Sequence, residues 1–406
     1  MRLDDLEKQM LAGDYGEGVR LAIRMLVHLG NAFDARRLLP ISSVHAGCVY
    51  PEFRASVDLM MRFAELGATF RTLTTVNPAL LPSNVGQHPD LPDPENLIIG
   101  SLRQTEAMRS MGVVPTWSCT PYFHGNLPRL GQPICWAESS AVIFANSVLG
   151  ARTNRTADGM DLASAIVGRT PEFGLLLPES RIGTALIRLE FLPKTQFDYS
   201  TLGYIVGKLS PGSIPVIEGI PKGTTANNLK AFGAAMATSG GIAMFHIVGM
   251  TPEAPSRRAA LGGSAREAEA AITKKAVQAA VDDLNQDSEL PVDAVVVGCP
   301  HAAISEVRDI LRLLRGRRIR NDVSFCVFAS PMTLHSASTL GYVQLLNQAG
   351  VRLFSGDCLL CHVPRTWGWS CVATNSAKYA CTLPASPTHL RVRYAPLSDC
   401  VALGAK

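Results

Sequence analysis

The sequence predicts an α/β protein with parallel, doubly wound sheets, flanking helices and several α/β subdomains. Strand and helix patterns alternate three times in the last third: Ala294 to Val297 with Ile304 to Leu314, Val323 to Phe328 with Thr333 to Asn347, and Val351 to Phe354 with the final segment. Such alternation means parallel strands joined by crossover helices. The strands are rich in Val and Phe, a composition that belongs to strands covered on both faces. A chain of 406 residues with 47% hydrophobic and 18% charged content exceeds one ordinary domain and fits a large shared core, part of whose surface a partner can cover.

Three units are expected, 1–160, 161–285 and 286–406. In the first, Leu3 to Leu11 and Gly18 to Leu29 carry apolar residues at helical spacing, and Gly13 and Gly30 are placed to stop them. A strand through Ile41 to Ala46, a helix near Ala55 to Leu66 ended by Gly67 and a strand through Phe70 to Thr74 follow. The stretch from Asn77 to Pro94 holds five prolines, and loops of that length in compact domains are usually functional. A helix over Leu102 to Met111 leads to a strand over Val113 to Ser118, and Ser139 to Leu149 reads as a buried helix. In the middle unit come strands at Leu175 to Leu177, Ala185 to Phe191, Ile214 to Gly219 and Ile242 to Val248. Its helices cover Ser200 to Leu209 and Asn227 to Thr238, the latter rich in Ala and Gly and so suited to close backbone contact. His246, lone on an apolar strand, reads as a satisfied core residue.

Composition and pattern exclude several classes. The net charge of +4 is small and dispersed, and the run Arg312 to Arg320 reads as a solvated helix end, so nucleic acid is not an expected partner. The N-terminus is charged and amphipathic, without a secretory core, and no run of 18 apolar residues occurs; no membrane partner and a cytoplasmic location are expected. Ten cysteines in such a setting imply reduced thiols. Gly-rich dinucleotide and P-loop signatures and the Gly-x-Ser-x-Gly elbow are absent. Cys358 and Cys361 have Cys-x-x-Cys spacing without a second such pair, which does not support a zinc ribbon.

Three cysteines stand out. Cys119, Cys299 and Cys358 each follow a short apolar or β-branched run and precede a Pro or loop, which places each at a strand's carboxyl end, where open α/β sheets build active sites. Three thiolates converging there can hold one metal centre and leave a coordination place for a substrate oxygen. The plainer alternative is three separate buried thiols; Cys135, Cys326, Cys371, Cys381 and Cys400 read as packing residues. Glu138-Ser139-Ser140 puts a carboxylate and two hydroxyls at a helix start, as an N-cap or as ligand-binding groups.

The strings Trp117-Ser-Cys119-Thr-Pro-Tyr122, Trp136-Ala-Glu138-Ser-Ser140, Ala145-Asn146-Ser-Val-Leu-Gly150-Ala-Arg152-Thr-Asn154-Arg155, Ala235-Met-Ala-Thr-Ser239-Gly-Gly241-Ile-Ala-Met-Phe-His246, Gly298-Cys299-Pro-His301 and Thr374-Asn375-Ser376-Ala-Lys378-Tyr379 closely resemble the large, catalytic subunit of the aconitase X family. The likeness runs from near residue 40 to about 395. It implies an aconitase-like fold and a hydro-lyase. Bacterial members resemble cis-3-hydroxy-L-proline dehydratases with a 2Fe-2S iron-sulfur cluster, and archaeal ones mevalonate 5-phosphate dehydratases with an iron centre, which leaves mononuclear iron open here. The family's cluster cysteines match Cys119, Cys299 and Cys358. The resemblance also implies a smaller swivelling domain that supplies a catalytic serine. Since the chain ends just past the large-subunit motifs, that domain is expected on a separate small aconitase X subunit.

Removing water from a β-hydroxy acid needs a base for the proton α to the carboxylate and a Lewis acid for the leaving hydroxide. Ser376, Asn375 and Lys378, at a helix start, are the candidates for gripping a carboxylate, with Asn146 and Arg152 behind them. His45 ends the first strand, and Thr75 and Asn77 end the second, so all three are placed to reach the pocket. Glu138, with Ser139 beside it, suits the ring nitrogen of a hydroxyproline, whereas Lys222, Lys378, Arg152 and Arg155 would have to assemble to hold a phosphate. The preferred reaction is cis-3-hydroxy-L-proline to Δ1-pyrroline-2-carboxylate; phosphomevalonate dehydration, a non-catalytic iron-sulfur redox or iron sensor and a zinc hydrolase are the alternatives.

Overall fold

The computed structural model describes residues 1–47, 54–85, 87, 94–264, 270–285, 290–361, 367–385 and 390–406. Part of the expected Asn77 to Pro94 loop lies outside them; within the described part, Pro82–Val85 forms a helical turn.

The first helix, Asp5–Ala12, begins in a capping box. Asp4 accepts the Glu7 N–H and Glu7 accepts that of Asp4, both at 2.8 Å, and Gly13 closes the helix at a φ of 101°. The second, Glu17–Ala32, runs through Gly30 rather than stopping there. A Cβ on Gly30 would lie 2.7 Å from the Met1 sulfur, so this glycine makes room for packing and does not terminate the helix. Ala22, Ile23 and Leu26 bury against Leu162 and Ile166 of the helix Met160–Val167. The strand after it, Arg169–Pro171, pairs antiparallel with Leu38–Pro40.

Three parallel sheets carry the rest. The first runs Leu73–Val76, Ser43–Ala46, Cys135–Trp136 in spatial order, with His45 level with Thr75 and Trp136. The second runs His246–Ile247, Pro215–Glu218, Ala185–Leu189, Ala270–Ile272. The third runs Val351–Ser355, Ser324–Ala329, Ala294–Val297, Cys371–Thr374, Arg391–Tyr394. Its alternate residues face different cores. Val296, Cys326, Phe328 and Val372 join a central cluster with Phe232 and Tyr379. Val295, Val297, Phe325 and Val327 join an outer one with Ile310, Leu314 and Leu346. The period-two alternation of a strand, with every position apolar, is what lets one sheet serve both cores.

Several expected elements differ. Val113 to Ser118 is not a strand of a sheet. It makes one bridge, Val114 to Thr75, because Pro115 has no N–H for a ladder. The Thr116 hydroxyl takes over that pairing: it accepts the Val76 N–H at 3.1 Å and donates to the Val76 carbonyl at 2.9 Å. Leu175 to Leu177 is mostly a 3-10 turn, Gly174–Leu176. Ser139 to Leu149 divides into Ser139–Phe144 and a π-turn, Ala145–Leu149. Thr333 to Asn347 breaks at Gly341, φ 76°, into Pro331–Thr339 and Tyr342–Ala349, and Ile242 to Val248 contributes only His246–Ile247 to its sheet. His246 is a core residue, as expected, its Nε2 donating to the Arg181 carbonyl at 2.8 Å. No helix among the described residues is long and apolar enough to cross a membrane.

The helices Gln196–Leu209 and Ala226–Gly240 approach backbone to backbone. A Cβ on Gly203 would stand 2.1 Å from the Phe232 carbonyl oxygen, and one on Gly240 2.3 Å from that of Gly207. Gly203→Ala is therefore expected to force the pair apart and to cost about 1–3 kcal/mol, read as a lowered urea midpoint by circular dichroism; an unchanged midpoint contradicts this packing.

Candidate active site

The carboxyl ends of the first and third sheets face one another. Cys119 follows the extended stretch clamped to Val76, with Ser118 N–H donating to the Val76 carbonyl at 3.0 Å. Cys299 follows the strand Ala294–Val297 through Gly298, whose φ of 106° is matched by a lack of space: a Cβ there would sit 2.1 Å from the Phe328 carbonyl oxygen. Cys358 follows Val351–Ser355, and the turn before it is drawn toward the first sheet by Ala79 N–H on the Gly356 carbonyl at 3.0 Å and Asn84 Nδ2 on that of Ser355 at 2.7 Å.

All three cysteines are free and half-buried. Burial pushes the Cys119 thiol well up, and Glu138, Cys299 and Cys358 push the same way. Burial likewise drives Cys299 to about 12, against the pull of Lys378, with Cys358 and Glu138 adding to the rise. Cys358 thus acts on both of the other thiols, and Cys299 on Cys119. Among the described residues no group of three or more His, Cys, Asp and Glu side chains is closed to the spacing of one metal ion. In chemistry three thiolate donors suit a soft-ligand centre such as an iron-sulfur cluster or zinc.

His45 is fully buried between the neighbouring strands, its Nδ1 2.9 Å from the Thr75 hydroxyl. Burial lowers its pKa to about 4, with Glu138, Asn77 and the Ser118 backbone opposing, so the ring is neutral near pH 7. Asn126 fastens this corner, donating to Thr75 Oγ1 at 2.9 Å and to the Val44 carbonyl at 3.1 Å. Asn77 continues from Val76, its N–H on the Ala46 carbonyl at 3.0 Å.

Lys378 reaches across from the helix Ala377–Ala385. Its Nζ donates to Glu138 Oε1 and to Ser140 Oγ, each at 2.9 Å. Burial raises the Glu138 carboxyl, but Lys378 and the N–H groups of Ser140 and Ala141 outweigh it and leave the pKa below the ordinary value. Burial works against the Lys378 ammonium, yet Glu138, Cys299 and Cys119 hold it protonated. Glu138 is also the expected N-cap, accepting the Ala141 N–H at 2.6 Å, and Ser139 lies beside it with Oγ 3.4 Å from Oε1.

The structure gives other predicted residues holding tasks. Ser376 Oγ donates to the Cys299 carbonyl at 2.6 Å and accepts the Tyr379 N–H at 3.3 Å, so its proton is directed at the cysteine loop. The helix-start amides expected to meet a carboxylate are partly used, Ser376 N–H on Thr374 Oγ1 at 3.2 Å and Ala377 N–H on Ser200 Oγ at 2.9 Å. Asn375 is half-buried beside them. Asn146 is fully buried and spends its amide on Thr153, Ala243 and Arg181. Arg152 bridges Pro133 through its backbone and is half-buried. The expected site residues do not include His301, whose N–H donates to Cys119 Sγ at 3.2 Å, or Tyr122, whose buried hydroxyl has no hydrogen-bond partner among the described residues. Both stood inside quoted strings next to a site cysteine, which was the available signal. A cavity of about 520 Å³ beside the Cys119 loop is lined by Thr120, His124, Asn227, Ala302 and Met332.

Parallel α/β sheets whose carboxyl ends converge on buried thiols, a carboxylate and an ammonium define an enzyme of the aconitase-like class. Family models for the aconitase X first, second and third domains match residues 1–179, 183–282 and 292–405; the chain belongs to the aconitase X family and is a hydro-lyase. It is 36% identical over 409 residues to a cis-3-hydroxy-L-proline dehydratase of Pseudomonas aeruginosa, covering 98% of this chain and 69% of that one. It is also 36% identical over 390 residues to a phosphomevalonate dehydratase large subunit of Thermococcus kodakarensis, covering 94% of each. A crystal structure of Thermococcus kodakaraensis aconitase X in its holo-form superposes with a TM-score of 0.88 at 33% identity over the whole of both chains.

Two outcomes test the site's electrostatics. Lys378→Met leaves the Glu138 carboxylate buried and unpaired and is expected to cost about 3–5 kcal/mol, while the double variant Lys378→Met with Glu138→Gln recovers most of it; equal urea midpoints for single and double variants contradict the pairing. His45 has a folded pKa of about 4 against about 6.5 unfolded, so below pH 6.5 the unfolded chain binds a proton that the folded chain refuses. Stability should fall as pH drops from 6.5 toward 4, and His45→Gln should shrink that fall; identical pH profiles would remove the burial argument.

Proposed function

We propose that this chain, with a small partner subunit, dehydrates cis-3-hydroxy-L-proline to Δ1-pyrroline-2-carboxylate at an iron-sulfur centre, 2Fe-2S by resemblance, held by Cys119, Cys299 and Cys358. The observation that supports the reading is the Glu138–Lys378 pair at 2.9 Å beside the cysteine loops, with the His301 N–H, two residues after Cys299, on Cys119 Sγ at 3.2 Å. The Cα–H and Cβ–O bonds break, the ring gains a double bond and the enamine tautomerises to the imine. When bound, iron supplies the Lewis acidity that eases hydroxide departure.

The chain's own groups do the positioning. The Lys378 ammonium and Asn375 grip the carboxylate, with Ser376 holding the loop between them and Cys299. Glu138, kept ionised, takes the ring ammonium. Neutral His45, oriented by Thr75 and near Asn77, offers a lone pair for a substrate proton. A serine from the small subunit completes proton removal, as the resemblance implies; the names of relatives as large subunits support such a partner. A cytoplasmic location is part of this proposal.

The phosphate alternative keeps one specific support: the match in extent with the large subunits, 94% of each chain. Against it, the cations it would need are scattered. Arg155 lines a separate cavity with Phe33 and Thr170, and Lys222 is exposed on a turn. The deciding experiment is anaerobic reconstitution of the chain with its small subunit, ferrous iron and sulfide, followed by assay of both substrates. Formation of the pyrroline product is expected; turnover of mevalonate 5-phosphate alone transfers the assignment, and an intact cluster without turnover of either favours a sensor. Cys299→Ser should abolish bound iron and turnover while leaving the circular dichroism spectrum unchanged; retained iron and activity would remove Cys299 from the donor set.

A further inference from the structure

We propose that His301 is a positioning residue that locks the three cysteine loops into one assembly competent to take up iron. The inference rests on the reading of Cys119, Cys299 and Cys358 as iron ligands and assigns a role to a residue that is not itself among them. His301 touches all three loops by different atoms. It is two residues beyond Cys299 in the same turn. Its backbone N–H donates to Cys119 Sγ at 3.2 Å. Its ring Nε2 donates to the carbonyl of Asp357, the residue before Cys358, at 2.8 Å. Because a carbonyl can only accept, the neutral ring must carry its proton on Nε2. The residue is 2% exposed.

His301 is in turn fixed from below by a second unit of the chain. Lys230, on the helix Ala226–Gly240, donates through Nζ to the His301 carbonyl at 2.9 Å and pairs with Glu306 Oε2 at 2.5 Å. Glu306 also accepts the Ala303 N–H at 2.9 Å and Gln196 Nε2 at 3.0 Å. Burying a lysine this completely is costly unless its charge and protons are satisfied. Here the Glu306 carboxylate pairs the charge and the His301 carbonyl takes a proton, and displacing that carbonyl would move the Cys119 contact and the Cys358 loop together. Side chains that orient ligand loops without binding metal are worth roughly 10–100-fold in affinity.

The test is anaerobic titration of the apo chain with ferrous iron and sulfide, scoring bound iron by chelator competition and the cluster by visible absorbance. His301→Phe keeps a ring in place without the donor, and His301→Ala removes both, so either variant suffices if the other does not fold. Each is expected to load iron roughly 10–100-fold more weakly than the parent, with shifted absorbance, whereas His301→Gln, which still offers an N–H toward Asp357, returns to within a few-fold. Parent-like loading by the folded donor-less variants overturns the proposal, as does failure of His301→Gln to improve on them. Cys299→Ser separates the two readings: if it abolishes loading while His301→Phe and His301→Ala load normally, only the positioning role falls. If it loads like the parent, the ligand reading falls and takes this role with it.

Discussion

The ion pair between Lys378 and Glu138, 240 residues apart and 2.9 Å between donor and acceptor, is the interaction on which the site depends. It joins the helix start after the first sheet to the helix Ala377–Ala385, across a space where several ionisable groups have lost much of their water. Neither charge is tolerable there alone. Together they put a fixed cation beside Cys299 and an ionised carboxylate near His45, each opposing the effect of burial on that neighbour. Burial still prevails at both, so the Cys299 thiol rises and the imidazole stays neutral, while Glu138 and the cysteines keep the Lys378 ammonium protonated.

The sheets make that meeting possible. In parallel sheets every carboxyl end lies on the same edge, and here the edges of the first and third sheets are stitched by Ala79 to Gly356 and Asn84 to Ser355. Glycines act where backbones nearly touch: Gly298 under Phe328, Gly203 against Phe232. A hydro-lyase needs such rigidity because acid, base and substrate must be placed within a fraction of an ångström before a proton can move.

Much of the architecture was legible. The repeated Val-rich strands of the last third stand as expected, with one crossover helix broken at Gly341, since a strand apolar at every position has nowhere to go but between two layers. Local errors share one cause. At Gly30, Leu175 to Leu177 and Val113 to Ser118 near neighbours suggest one structure and distant atoms decide another: Met1 fills the groove at Gly30, Asn154 Oδ1 takes the Leu175 N–H, and Val76 takes the Thr116 hydroxyl beside Pro115, which has no N–H.

The site divides the same way. Residue type and spacing singled out Cys119, Cys299 and Cys358 and the Glu138 cap, although a thiol after an apolar run also serves as a packing residue and a carboxylate at a helix start as a plain N-cap. Which groups share a charge was settled only by the tertiary structure. Asn146 turned to bracing Thr153 and Arg181, Ser376 to clamping the Cys299 carbonyl, and His301 to linking three loops. Hydrogen-bond partners separated by tens to hundreds of residues leave no periodic trace along a chain; they exist only once packing has brought the strand ends together.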